Sequence, residues 1–168
     1  EGTTIGTYRN NLPSTCGAKY SAEVWRGEIV RAANKWAAAI AIQPEGPVPV
    51  TFQVVGDNGA PVGTPAPINT GTTDVPFGDI RVGGFYSTGS FLASAYYPYP
   101  TTTRGGDITF NTKYGCNIRS LGATGYDFFS IGIHELGHAL GLGHSTVYPA
   151  VMGASVSGVY TDLRADDT

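Results

Sequence analysis

The chain has 168 residues, 41% of them hydrophobic, with 10 Lys+Arg against 13 Asp+Glu and a formal net charge of -3. That is the length of one domain with enough apolar surface for a core, and the absence of a basic run removes the electrostatic footprint that a nucleic-acid binder needs. No apolar run is long enough to span a bilayer, so no membrane partner is expected, and 24 Gly, 11 Pro and 10 Tyr among many Thr and Ser point to a loop-rich extracellular surface.

The sequence opens at Glu1 without a Met, as expected of a mature or trimmed form whose secretion signal or propeptide lies upstream. Residues 3–13, TTIGTYRNNLP, read as an opening strand closed by an Asn-Asn-Leu-Pro turn. Cys16 and Cys116 are the two cysteines. In an exported protein they form one disulfide across a very long loop, worth ~4 kcal/mol by loop entropy; the alternative is two buried thiols. Residues 21–40, SAEVWRGEIVRAANKWAAAI, predict a helix with Ser21 as N-cap. Its apolar stripe comprises Val24, Ile29, Ala32, Ala33, Trp36 and Ile40, and Pro44, Pro47 and Pro49 stop it.

The β-branched run 48–56 reads as a strand, and the Gly/Pro/Thr-rich stretch 57–73 as an irregular loop. Residues 78–86 and 106–111 read as two further strands. Between them FLASAYYPYP is a short strand whose prolines favour a sheet edge. Residues 126–142, YDFFSIGIHELGHALGL, predict a second helix, apolar on nearly every face and therefore buried. By this pattern the chain is an α+β domain, with one helix on a small, mostly antiparallel sheet and a second helix beneath.

All three histidines, His134, His138 and His144, fall in one short window. His134 and His138 are one helical turn apart, about 40° in azimuth, so their imidazoles can converge on one ion. Glu135 points to the side of that pair, close enough to touch an attacking water without acting as a ligand. In this HExxH arrangement two His bind zinc and the Glu is a general base. A helix continued to residue 144 would turn the third imidazole away by about 240°. Gly141 and Gly143 are placed to bend the chain back, since glycine tolerates the left-handed conformation at a helix C-terminus. A lone HExxH recurs by chance in amphipathic helices, whereas the extended HExxHxxGxxH supplies a third ligand and an enabling glycine. Three ligands with no nearby Cys favour an open catalytic site over a closed structural one.

On His134, Glu135, His138, Gly141, His144 and the single methionine, Met152, the sequence resembles a metzincin metallopeptidase, and within that clan a matrixin. Ser145 after the third His and the short gap to Met152 are matrixin-like, and Ala154 stands where astacins and serralysins carry a tyrosine. AANKWAAAI, GDIRVG, LASAYYP and GGDITFN resemble matrixin segments in order. The resemblance implies a twisted five-stranded mixed sheet with two long helices and a zinc cleft along the edge strand holding Leu92 and Ala93. A protein or peptide substrate would dock there as an extended antiparallel strand.

Where the family's second zinc takes two histidines, this chain has Ser94 and Thr109, so that site is expected to be lost. Asp79 and Asp107 match calcium-site carboxylates, which leaves room for one structural Ca2+; they serve equally well as strand-end acids. Asn111 replaces a further acid. STCGAKY lacks the residues that surround a propeptide cysteine switch. LRADD resembles the start of the last family helix, so the expectation is a single catalytic domain over residues 1–168 with that helix cut short.

The implied activity is that of a secreted, monomeric, zinc-dependent endopeptidase. His134, His138 and His144 would hold Zn2+ and Glu135 would act as base. The competing expectations are a catalytically silent zinc-containing peptide-binding module, and an adhesive surface domain with no zinc.

Overall fold

A computed structural model describes residues 3–7, 19–40, 52–56, 80–98, 104–114, 116–155 and 158–167. Helix α1 spans Ala22–Ile40, and it begins where the cap signal lies: the Ser21 hydroxyl accepts from the Val24 N–H at 3.4 Å. Trp25, Ile29, Ala32, Ala33 and Trp36 form its buried face, while Val24 packs only at the margin of the core. The stripe is thus centred slightly differently from the one read off the sequence, with Trp25 inside because its large ring reaches Phe128 edge-on at 4.7 Å.

The strands are β1 (Thr3–Thr7), β2 (Phe52–Gly56), β3 (Ile80–Phe85), β4 (Ala93–Ala95) and β5 (Ile108–Asn111). They lie in the order β2-β1-β3-β5-β4. The pairs β1–β2, β1–β3 and β3–β5 are parallel, and only β4–β5 is antiparallel. The expectation of a mostly antiparallel sheet is therefore corrected. Parallel neighbours cannot be joined by a tight hairpin, and β1 reaches β2 only after the whole of α1.

Helix α2 spans Phe128–Ala139, and all its residues are buried, as its uniform hydrophobicity requires. It is shorter than predicted at both ends. Asp127 caps its start, its carboxylate accepting from the Ser130 N–H at 3.0 Å and the Ser130 hydroxyl at 2.8 Å. Helices α1 and α2 are locked together by the Trp36 indole, which donates to the Ile133 carbonyl at 2.7 Å. The sheet contributes Ile80, Val82, Ile108 and Phe110 to the same core. The last half of α2 is thereby set beside the edge strand β4 and faces the cleft described below.

In the β4–β5 pair, Ser94 lies opposite Thr109, so the two positions expected to lack imidazoles do face each other. Asp107 is buried and accepts from the Arg81 N–H at 3.0 Å. Cys16, Asp79 and the 57–73 loop lie outside the described residues, as therefore do the Cys16–Cys116 pairing and half of the calcium expectation.

Candidate metal centre and cleft

The three histidines are brought together as their spacing demands. His134 and His138 project from successive turns of α2 with ring centroids 4.7 Å apart, and the His144 ring lies 5.3 Å from the first and 4.7 Å from the second. One nitrogen from each falls within 4.8 Å of the others, and among the described residues this is the one group of three or more His, Cys, Asp or Glu able to hold an ion.

The return of the chain depends on how α2 ends. Gly141 has φ +101°, a left-handed conformation that glycine adopts without steric cost. Its N–H donates to His138 O at 2.9 Å, and the Leu142 N–H donates to Gly137 O at 2.9 Å. This pair of bonds is a Schellman motif. The same turn aims the Leu142 carbonyl at the His138 ring, which donates Nδ1–H to it at 2.7 Å. His134 donates its Nδ1–H to the Val151 carbonyl, also at 2.7 Å.

Those two bonds fix the tautomer. With Nδ1 protonated, each ring turns an Nε2 lone pair toward the common centre, which is the state a metal requires. Burial pushes His134 down to about 4, with the neighbouring imidazoles adding to the effect; burial lowers His138 as well. Both stay neutral near pH 7. Tetrahedral zinc at its usual distance from imidazole nitrogen sets ligand atoms about 3.3 Å apart, and His138 Nε2 and His144 Nε2 are 3.1 Å apart. The donor set fits zinc in element type, in the tautomer of His134 and His138 and in the spacing of His138 and His144.

Beneath the histidines lies the turn that carries Met152. A Cβ added at Gly137 would come within 2.3 Å of Met152 Sδ and 2.9 Å of Trp36 Cζ2, so the missing side chain of Gly137 is the seat of the buried methionine. The Ser145 N–H donates to Met152 O at 2.8 Å, which ties the segment bearing His144 to this turn. Asp167, itself buried, accepts from the N–H groups of Val151 at 3.0 Å, Met152 at 2.9 Å and Arg164 at 2.8 Å. Through Val151 it supports the carbonyl that orients His134. Neither Gly137 nor Asp167 was singled out from the sequence. The first is an unspecified position of HExxH, and the second lies in LRADD, which read only as a helix start.

Glu135 points into the cleft. Burial raises its carboxyl to about 7, against a lowering by the Ala95 N–H that donates to it. The Oε2 atom is buried with no hydrogen-bond partner. A buried carboxylate oxygen left unpaired is costly, and its place in the cleft that the three histidines also line suits a polar group arriving there.

The cleft holds about 550 Å³ and is lined by β4 and its flanks from Phe91 to Tyr97, by the histidines and Glu135, and by Tyr126 and Ile131. Among the described residues of its lining, none but Glu135 and the histidines is an acid, Lys, Arg or His.

The sequence pattern of the Matrixin family matches residues 18–168. Matrix metalloproteinase-16 of Homo sapiens is 35% identical over 102 residues, 56% of this chain and 16% of that protein. Matrix metalloproteinase-15 of Homo sapiens is 44% identical over 68 residues, 40% of this chain and 10% of that protein. Karilysin of Tannerella forsythia is 35% identical over 77 residues, 45% of this chain and 16% of that protein. The chain thus aligns with at most 16% of the length of these relatives. With the family match running from before α1 to the last residue, across the histidines, the cleft and the methionine turn, the chain belongs to the matrixin family.

Proposed function

We propose that the chain is a secreted zinc-dependent endopeptidase in which His134, His138 and His144 hold the metal and Glu135 is the general base. Zinc bound there supplies Lewis-acid polarisation of the scissile carbonyl and acidifies the attacking water. The observation that carries the proposal is the unpartnered Oε2 of Glu135 in the cleft that three clustered imidazoles line, two of them of fixed tautomer.

Glu135, buried in the same cleft as the histidines, is placed to take a proton from the attacking water and return it to the leaving amine. Its other hydrogen bond, from the Ala95 N–H, fixes it relative to the edge strand that the substrate would join. The substrate is an extended protein or peptide segment, paired antiparallel with β4 through backbone bonds, and the enzyme works as a monomer outside the cell. No described helix is long and apolar enough to cross a membrane. An extracellular setting also favours the Cys16–Cys116 disulfide, which predicts no thiol reactive to Ellman's reagent in the denatured, unreduced protein. Asp107, one of the two acids that a structural calcium would need, accepts from the Arg81 N–H as a strand-end acid.

The test is Glu135→Gln. It should retain one zinc per chain by elemental analysis and lose peptide cleavage by about 10²–10⁴-fold. Wild-type cleavage should be abolished by a chelator and restored by zinc. A variant that cuts at the normal rate would remove Glu135 from the mechanism. A silent wild-type protein that binds zinc and peptide would make the chain a binding module.

A further inference from the structure

Asn111, at the end of β5, is fully buried, and each of its side-chain hydrogen-bonding groups is used on the segment leading into β4. Its Oδ1 accepts from the N–H of Ser87 at 3.1 Å and of Lys113 at 3.1 Å. Its Nδ2 donates to the carbonyls of Gly89 at 3.3 Å and Phe91 at 3.0 Å. The Lys113 ammonium adds a bond to the Thr88 carbonyl at 3.1 Å. The loop is therefore held by an amide at the end of β5 and an ammonium in the turn that follows it.

The bond to Phe91 has a consequence for the edge. Leu92 and Tyr96 turn their backbone groups inward: Leu92 O accepts from the Asn111 N–H, the Tyr96 N–H donates to Asp107 O, and Tyr96 O accepts from the Gly106 N–H. Strand alternation then puts the backbone groups of residues 91, 93 and 95 on the outer side; with the Ala95 N–H given to Glu135, an incoming peptide would pair with Ala93 and the Ala95 carbonyl. Asn111 draws the Phe91 carbonyl back, so regular pairing ends before that residue. What Phe91 presents instead is its ring, 40% exposed at the end of the cleft.

The geometry points to Asn111 as a positioning residue that ends the pairing edge before Phe91 and sets the Phe91 ring as the wall met by the substrate beyond the scissile bond. This rests on the endopeptidase reading and its antiparallel docking, in which residues after the scissile bond run from Ala95 toward Phe91. The wall is aromatic and uncharged, so it takes apolar residues on that side.

The test uses the zinc-loaded chain carrying Glu135→Gln, which separates binding from cleavage. Two fluorescent peptides share the residues before the scissile bond; one carries two apolar residues after it and the other four. The longer peptide should bind roughly fivefold more tightly through contact with the ring. Phe91→Ala should abolish that advantage and leave binding of the shorter peptide unchanged. Asn111→Asp keeps the shape but removes both Nδ2 donors, and it should also abolish the advantage. The two changes together should do no more than either alone. Lys113→Ala, which loosens the loop at Thr88 without touching Phe91, should preserve it. Should Asn111→Asp fail to fold, Asn111→Ser, smaller and neutral, makes the same test of the hold on the Phe91 carbonyl. A length advantage that survives Phe91→Ala or the Asn111 variant, or is missing from the parent, overturns the proposal. Length-dependent binding in a protein whose wild-type form cuts nothing would instead sink the endopeptidase reading and leave the role of Asn111 standing.

Discussion

Gly137 lies between the two helical histidines, and the space its side chain would fill is taken by Met152 and Trp36. Alanine is the better helix former by about 1 kcal/mol, so on propensity alone Gly137→Ala should stabilise α2. Packing decides otherwise. The intruding methyl would lie 2.3 Å from a sulfur whose residue is only 2% exposed, and the Met152 backbone is held by Asp167 and Ser145. Overpacking of this kind costs about 1–3 kcal/mol. Gly137→Ala should therefore lower the urea midpoint and weaken zinc binding, because the displaced turn carries the carbonyl that orients His134. An unchanged or raised midpoint would show that Met152 moves aside freely. At this scale the histidines were legible because metal chemistry restricts both residue type and spacing. Gly137 was not, since its reason for being glycine is a contact with a residue that follows it only after the chain has turned back.

At the scale of elements, the methionine turn has little secondary structure of its own and is held from outside. Asp167 neutralises three backbone donors, and two of them, Val151 N–H and Met152 N–H, belong to the turn. Asp167→Ala would leave buried donors unpaired at about 1–3 kcal/mol and free the Val151 carbonyl from its place against His134. The expected outcome is a loss of about 10–100-fold in zinc affinity, typical of removing an outer support of a metal ligand, read by competition with a chromogenic chelator. Retained affinity would mean that the Val151 carbonyl keeps its place without Asp167. Both helices were readable in advance because their signals are local: a capping serine, an apolar stripe, a glycine at the C-terminal turn. Sheet pairing was not. β1 and β2 are parallel neighbours separated by α1, and nothing in either strand's own residues names its partner. The antiparallel expectation had only the strands' own residue types behind it, and those do not distinguish a parallel neighbour from an antiparallel one.

For the whole molecule, the metal-free protein holds two buried groups whose titrations oppose each other. His134 falls from 6.5 to about 4. Its contribution to stability is present above pH 6.5 and is lost as the pH drops toward 4, because the unfolded chain takes up a proton that the folded chain refuses. Glu135 rises from 4.5 to about 7, so its contribution is full below pH 4.5 and is lost as the pH rises through 7. Between pH 4.5 and 6.5 the two slopes largely cancel, while His138, also lowered, leaves a residual loss on acidification. Replacing Glu135 by Gln removes the opposing slope. With chelator present, stability of the Glu135→Gln variant should therefore fall more steeply than wild type from pH 6.5 to 4.5, by up to about 1.4 kcal/mol per pH unit. Urea titrations of both proteins at three pH values measure the difference directly. Parallel profiles would mean that Glu135 titrates like an ordinary carboxylate, and the general-base assignment would then have to rest on geometry alone.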